Sequence, residues 1–220
     1  MTSTSPRAAI LLTGFEPFGG ETINPSWQVA QALAGERVGS AQIVAVQLPT
    51  VFGEALKAID QALAVHQPAL VVALGQAGGR TQLSIERVAI NVDDARIPDN
   101  ARQQPVDDPI VPGGPVAYFS TLPIKAMVDA LHRAGVPASV SQTAGTFVCN
   151  HVFYGLQHRL AGTPVRSGFV HVPFVPEQVR GKSGVACLPL GTLVEGVRIL
   201  LHTAWHHQGA DLRLAAGAED

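Results

Sequence analysis

The chain has 220 residues, 46% of them hydrophobic and 15% charged, enough to bury a sizeable core and within the length range of one large α/β domain, expected to span 1–220. With Lys plus Arg at 15 against Asp plus Glu at 17 the net charge is −2, and no run of like charge or basic stripe interrupts the sequence, so nucleic acid is not an expected partner. The first apolar run, 8–12, is too short for a signal-peptide core or a bilayer span, and two cysteines cannot frame a disulfide scaffold, so a cytoplasmic protein with no membrane partner and reduced thiols is expected.

Short apolar, β-branched runs alternate with segments of helical period, the signature of βα units around a largely parallel, mixed sheet. The first strand is predicted over 8–14 ("AAILLTG"), followed by a helix over 25–35 with Asn24 as N-cap and Pro25 at its first position. A strand over 42–48, a helix over 51–67 and a strand over 69–75 come next. One long strand is expected over 82–92 ("QLSIERVAINV"), and residues 93–118, crowded with Asp, Pro and Gly, read as a loop that shapes a site or a subunit contact. A helix over 120–135, capped by Ser120 or Thr121 and closed by Gly135, leads to a strand over 137–143. A helix beginning near Cys149, a strand over 166–174 and a helix over 194–209 complete the order.

Cys149 is either a small core residue or a nucleophile. In the first turn of a helix it meets the positive end of the macrodipole, which is expected to lower its pKa. A nucleophilic thiol needs an imidazole. His151 points to another side of the helix and His158 is more than two turns away. His202 and His206 read as a solvated face, and His66 and His132 as helix C-terminal residues. His171, late in the strand over 166–174, lies where α/β sites collect, although a strand histidine is also an ordinary core residue. Glu86 is expected to share a strand face with Val88, Ile90 and Val92, so it needs a partner: an imidazole to orient, or an arginine from elsewhere.

Several long blocks, "GFEPFGGETINPSW" (14–27), "GQAGGR" (75–80), "ERVAINVDDARIPDN" (86–100), "GPVAYFSTLPIKAM" (114–127), "TAGTFVCNHVFY" (143–154) and "GFVHVPFVPEQ" (168–178), resemble those of the cysteine-type pyroglutamyl peptidases, also called pyrrolidone carboxyl peptidases. The resemblance implies an α/β/α sandwich that removes N-terminal pyroglutamate from peptides through a thioester. It assigns Cys149 as nucleophile, His171 as base and Glu86 as the orienting carboxylate. It also puts Arg96 beside the oxyanion and Phe15, Phe18, Asn24, Gln76, Phe147 and Val148 around the pyroglutamyl ring, with no metal and no cofactor, in a homodimer or homotetramer. The glycines of 75–80 also suggest a nucleotide loop, but no helical stripe follows them. A binding module that has lost the chemistry is the other alternative, opposed by the presence of all three catalytic residue types.

Overall fold

Every residue of β1 (Ala9–Phe15) and β4 (Leu70–Gln76) is buried, the pattern of strands covered on both faces. The computed structural model describes residues 8–217, so the outermost parts of the expected 1–220 domain lie outside the described residues. The other strands of the main sheet are β2 (Arg37–Val38), β3 (Ala41–Leu48), β5 (Leu83–Glu86), β8 (Ala138–Ser141) and β9 (Arg166–Val172). Their order is β2-β3-β1-β4-β9-β5-β8. Strands β3, β1, β4 and β9 are parallel, β2 opposes β3, and the β5–β8 pair runs against β9.

Alternation along the strands splits the core in two. Leu11, Val71, Ala73 and Phe169 face α2 (Glu54–His66) and α4 (Val148–Leu160). Leu12, Val72, Leu74 and Val170 face α1 (Pro25–Leu33), α3 (Ile124–Arg133) and α5 (Leu190–His206) on the opposite side. The result is the α/β/α sandwich on a mostly parallel, mixed sheet. Helix α4 is held to the sheet chiefly by Val152, Phe153 and Leu156, all fully buried, and each such side chain contributes about 2 kcal/mol.

Three expectations are corrected. The predicted strand over 82–92 breaks at Arg87: β5 stays in the main sheet, while β6 (Val88–Ile90) pairs with β7 (Ala117–Phe119) as a separate antiparallel ribbon. The break is tertiary in origin, because the Arg87 N–H donates to Ser141 while its carbonyl accepts from Ser120, on two different neighbours. Glu86 therefore shares no strand face with Val88. The cap of α3 is neither Ser120 nor Thr121; the helix begins at Ile124, and the Asp211 carboxylate, far along the chain, accepts from the N–H groups of Lys125 and Ala126. Helix α5 starts a turn earlier than predicted and stops at His206, short of Gly209. Gly135 does close α3, with φ 72°.

Candidate active site

Strand β9 delivers His171 and strand β5 delivers Glu86. Ser84 pairs with His171 across the antiparallel β5–β9 contact, so Glu86, two residues on, lies on the same face and diagonal to the imidazole. A long side chain spans that diagonal: His171 Nδ1 donates to Glu86 Oε1 at 2.7 Å. Glu86 is 0% and His171 4% exposed. A carboxylate that can only accept fixes the proton on Nδ1 and leaves Nε2 with its lone pair. Burial pushes the His171 pKa below the ordinary imidazole value, against the opposing pull of the Glu86 charge. The ring is thus neutral near pH 7. Both partners that the sequence left open for Glu86 are present, since Arg80 Nη1 donates to the same Oε1 at 2.8 Å.

Cys149 is the second residue of α4 and stands over the sheet at Gly75, which pairs with His171 across β4 and β9. A Cβ built on Gly75 would lie 2.9 Å from Cys149 Sγ and 2.7 Å from Cζ of Phe169. Only glycine leaves room for both. The thiol is pushed up to about 12, first by burial and then by the Glu86 charge, with Arg80 opposing. This corrects the expectation of a lowered pKa: a macrodipole contributes about 0.3–1 kcal/mol, less than desolvation of a thiolate in this position. The free site holds a neutral thiol beside a neutral imidazole. Gly75→Ala should therefore displace Sγ and the Phe169 ring together, lowering kcat by ~100-fold while the thiol can still be titrated in the unfolded protein. Parent-like kcat in a folded Gly75→Ala protein would contradict this geometry.

The start of α4 carries no side-chain cap on Phe147. A Ser or Asp there would consume one of the first-turn N–H groups; with phenylalanine they stay available to a ligand. Phe147 is half-buried, its ring centroid 6.0 Å from Phe18 and edge-on to Phe52 at 5.4 Å. Phe18 is also half-buried. Phe15 differs, being 2% exposed and packed 6.4 Å from Phe169, so as an open aromatic wall it is corrected to a core ring beneath the site. Val148 is likewise fully buried. Asn24 spends its side chain locally, accepting from Ser26 N and Oγ and donating to the Glu16 carbonyl. Gln76 Oε1 accepts from Gln178 Nε2 at 2.8 Å. Arg96 is exposed, on a segment tied to the approach to α4 by Asp94 N–H to Thr146 O at 2.9 Å and Thr146 Oγ1 to Asp94 O at 2.7 Å.

Sequence reasoning missed Asn150 and, having set His151 aside as a partner for the thiol, gave it no other role. Asn150 exchanges hydrogen bonds with Ile90 N and O and with Val92 O, stitching the first turn of α4 to β6. His151 donates from Nδ1 to Asp93 at 2.7 Å and accepts the Gly53 N–H on Nε2 at 3.0 Å, so both ring nitrogens are engaged and it is no second base. The only sequence signal was three polar residue types in a row, "CNH", on a helix that otherwise packs into the core. The aperiodic 93–118 segment is tied to the site's surroundings by Asp99, whose carboxylate accepts from Phe52, Ala101 and Gln103 N–H groups.

Comparison with known proteins agrees with this architecture. A family model described as "Pyroglutamyl peptidase" matches residues 8–207. A pyrrolidone-carboxylate peptidase of Cupriavidus taiwanensis is 62% identical over 211 residues, covering 94% of this chain and 97% of the relative. One from Klebsiella pneumoniae is 56% identical, covering 96% and 99%. Among solved structures, the pyroglutamyl peptidase I of Bacillus amyloliquefaciens superposes with a TM-score of 0.92 at 46% identity, covering 95% of this chain and 100% of that one. A mutant pyrrolidone carboxyl peptidase of Pyrococcus furiosus gives 0.87 at 44%, covering 90% and 98%.

Proposed function

The chain belongs to the pyroglutamyl peptidase family, and from that membership we propose that it hydrolyses the bond after an N-terminal pyroglutamate with Cys149, His171 and Glu86 as its catalytic triad. It is a peptidase, hence a hydrolase. The observation that supports the triad is the buried 2.7 Å bond between His171 Nδ1 and Glu86 Oε1 beside a thiol seated over Gly75.

Because thiol and imidazole are both neutral at rest, the proton moves as the bond forms. Sγ attacks the carbonyl carbon joining pyroglutamate to the next residue while His171 Nε2 takes the thiol proton. The carbonyl oxygen becomes an oxyanion, met by the uncapped N–H groups at the start of α4, and Arg96, two residues beyond the Asp94 that is tied to Thr146, is its cationic support in this reading; one such donor contributes about 3 kcal/mol. The intermediate collapses, the C–N bond breaks, and the leaving amine takes the proton from His171. A water then gives a proton to His171 and attacks the thioester, releasing pyroglutamate as Cys149 recovers its proton. Glu86 keeps the ring in the Nδ1–H tautomer throughout and stabilises the transient imidazolium.

Pyroglutamate is a lactam without a free amine, so its slot needs flat apolar walls and amide hydrogen bonds rather than a counter-ion or metal. Phe18 and Phe147 form those walls, Gln76 ends the strand beside the nucleophile, and Phe15, Asn24 and Val148 hold the shape from behind. Phe18→Ala should cut kcat/KM by roughly 10- to 100-fold with little change in melting temperature, whereas Phe15→Ala should cost about 3 kcal/mol of stability. Active-site-titrated kinetics with thermal melts separate the two; equal behaviour of the variants would contradict the division. The same reading makes the protein a thiol protease needing no cofactor, a single catalytic domain, cytoplasmic and a homodimer or homotetramer. Its test is hydrolysis of pyroglutamyl-β-naphthylamide against the prolyl and glutamyl analogues. Turnover confined to the first is expected, and comparable turnover of the prolyl compound would overturn the lactam slot.

A further inference from the structure

We propose that Arg80 is a positioning residue of the reaction, holding the Glu86 carboxylate in register with the loop that delivers Cys149. The proposal rests on the triad reading above. Glu86 is a fully buried carboxylate whose Oε1 accepts from both His171 and Arg80, and whose Oε2 has no partner among the described residues. A buried charge in that condition is costly, and the cation that offsets it is Arg80. The same guanidinium donates from Nη2 to the Thr143 carbonyl at 3.3 Å. Thr143 lies between β8 and α4, six residues before the nucleophile. Arg80 therefore spans the orienting carboxylate and the approach to the thiol, and does so from the rim, its side chain 30% exposed.

The charged and titratable groups that face the Glu86–His171 pair, among the described residues, are Cys149 from α4 and Arg80 from the loop after β4. The adjacent Arg87 turns away, donating to Gln142 Oε1 and to the Ala216 carbonyl, and β8 presents Ser141 rather than a charge. Removing the positive charge raises the proton affinity of His171, which the Arg80 charge acts to lower. A proton on His171 blocks the base, so the base is lost at a higher pH than in the parent. An arginine with a merely structural role has no reason to move the pH at which catalysis fails.

The test compares Arg80→Met and Arg80→Lys with the parent in kcat, KM and the pH profile of kcat/KM on pyroglutamyl-β-naphthylamide. Arg80→Met should move the acid limb upward by about 1 pH unit and lower kcat by ~10-fold, with KM nearly unchanged because Arg80 does not form the ring slot. Arg80→Lys should restore the position of the acid limb but not all of kcat, since one ammonium cannot reproduce a guanidinium fork across two acceptors. An Arg80→Met acid limb coincident with the parent's, or a loss seen only in KM, overturns the proposal. If Arg80→Met does not fold, a folded Arg80→Lys whose acid limb moves upward like a charge deletion overturns it equally. Cys149→Ala assayed alongside separates the two levels of the argument. Turnover by that variant removes the triad reading itself, whereas an inactive Cys149→Ala beside parent-like Arg80 variants removes only the role of Arg80.

Discussion

Cys149→Ser should fold as the parent does and lose turnover by roughly 10³-fold or more. The substitution keeps a small side chain above Gly75, and the smaller hydroxyl fits the space that Sγ occupies where a Cβ on Gly75 would clash, so packing is preserved. What is lost is a nucleophile that His171 can deprotonate readily, because a hydroxyl releases its proton far less willingly than a thiol. Since burial and the Glu86 charge hold the thiol up to about 12, alkylation by iodoacetamide should keep accelerating with pH beyond 9, where an ordinary exposed thiol levels off. Cys187, whose backbone bridges to Phe174 and which touches none of the triad's hydrogen bonds, should be replaceable by Ser without loss. Full activity of purified Cys149→Ser would end the mechanism; a plateau in alkylation near pH 8.5 would contradict the protonated resting thiol.

His171→Ala should approach Cys149→Ala in its loss, because in the proposed mechanism the imidazole serves both the acylation and the hydrolysis half. Glu86→Gln should retain more, about 10- to 100-fold above His171→Ala, since the ring can still reach the correct tautomer part of the time. The pH signs follow from the same geometry. As the proposed base His171 must be neutral to act, and its pKa is lowered by burial, so the parent's activity should fall only as pH drops below the ordinary imidazole value of about 6.5. Glu86 works against that lowering, so Glu86→Gln should carry the acid limb to still lower pH, opposite to the shift expected of Arg80→Met. The linked stability has the same sign: with the folded pKa depressed, the unfolded chain binds the proton first, so stability declines as pH falls below the unfolded histidine value. Measuring kcat/KM from pH 4 to 8 for parent and Glu86→Gln checks the direction, and an upward shift in Glu86→Gln would contradict it.

Much of this site was readable before the fold. His171 stood out by its place late in a strand, and Glu86 by being a charge in an apolar run; the fold brings the two within 2.7 Å because local pattern and tertiary position agree. The face assigned to Glu86 did not survive. Period-2 alternation continues smoothly through 82–92, and nothing local marks Arg87 as the residue where the chain leaves one sheet for another; that choice is made by Ser141 and Ser120, remote in sequence. The cap of α3 was illegible for the same reason, since Asp211 supplies it from the far end of the chain. The thiol's pKa was misjudged because a helix start is visible in sequence while depth of burial is not. Asn150 went unremarked, and the structural role of His151 unforeseen, because their partners, β6, Asp93 and Gly53, belong to segments whose proximity only the folded chain reveals.

The central claim is that Cys149 carries the pyroglutamyl group as a thioester, and the most direct measurement is acid-quenched intact-protein mass spectrometry during turnover of a pyroglutamyl ester, followed by peptide mapping. A mass increment of one pyroglutamyl acyl group, on the peptide containing Cys149 and absent from Cys149→Ala, is the result this account predicts. Turnover at full rate with no acyl adduct in the parent under conditions where deacylation has been slowed, or an adduct on Cys187 instead, would contradict it.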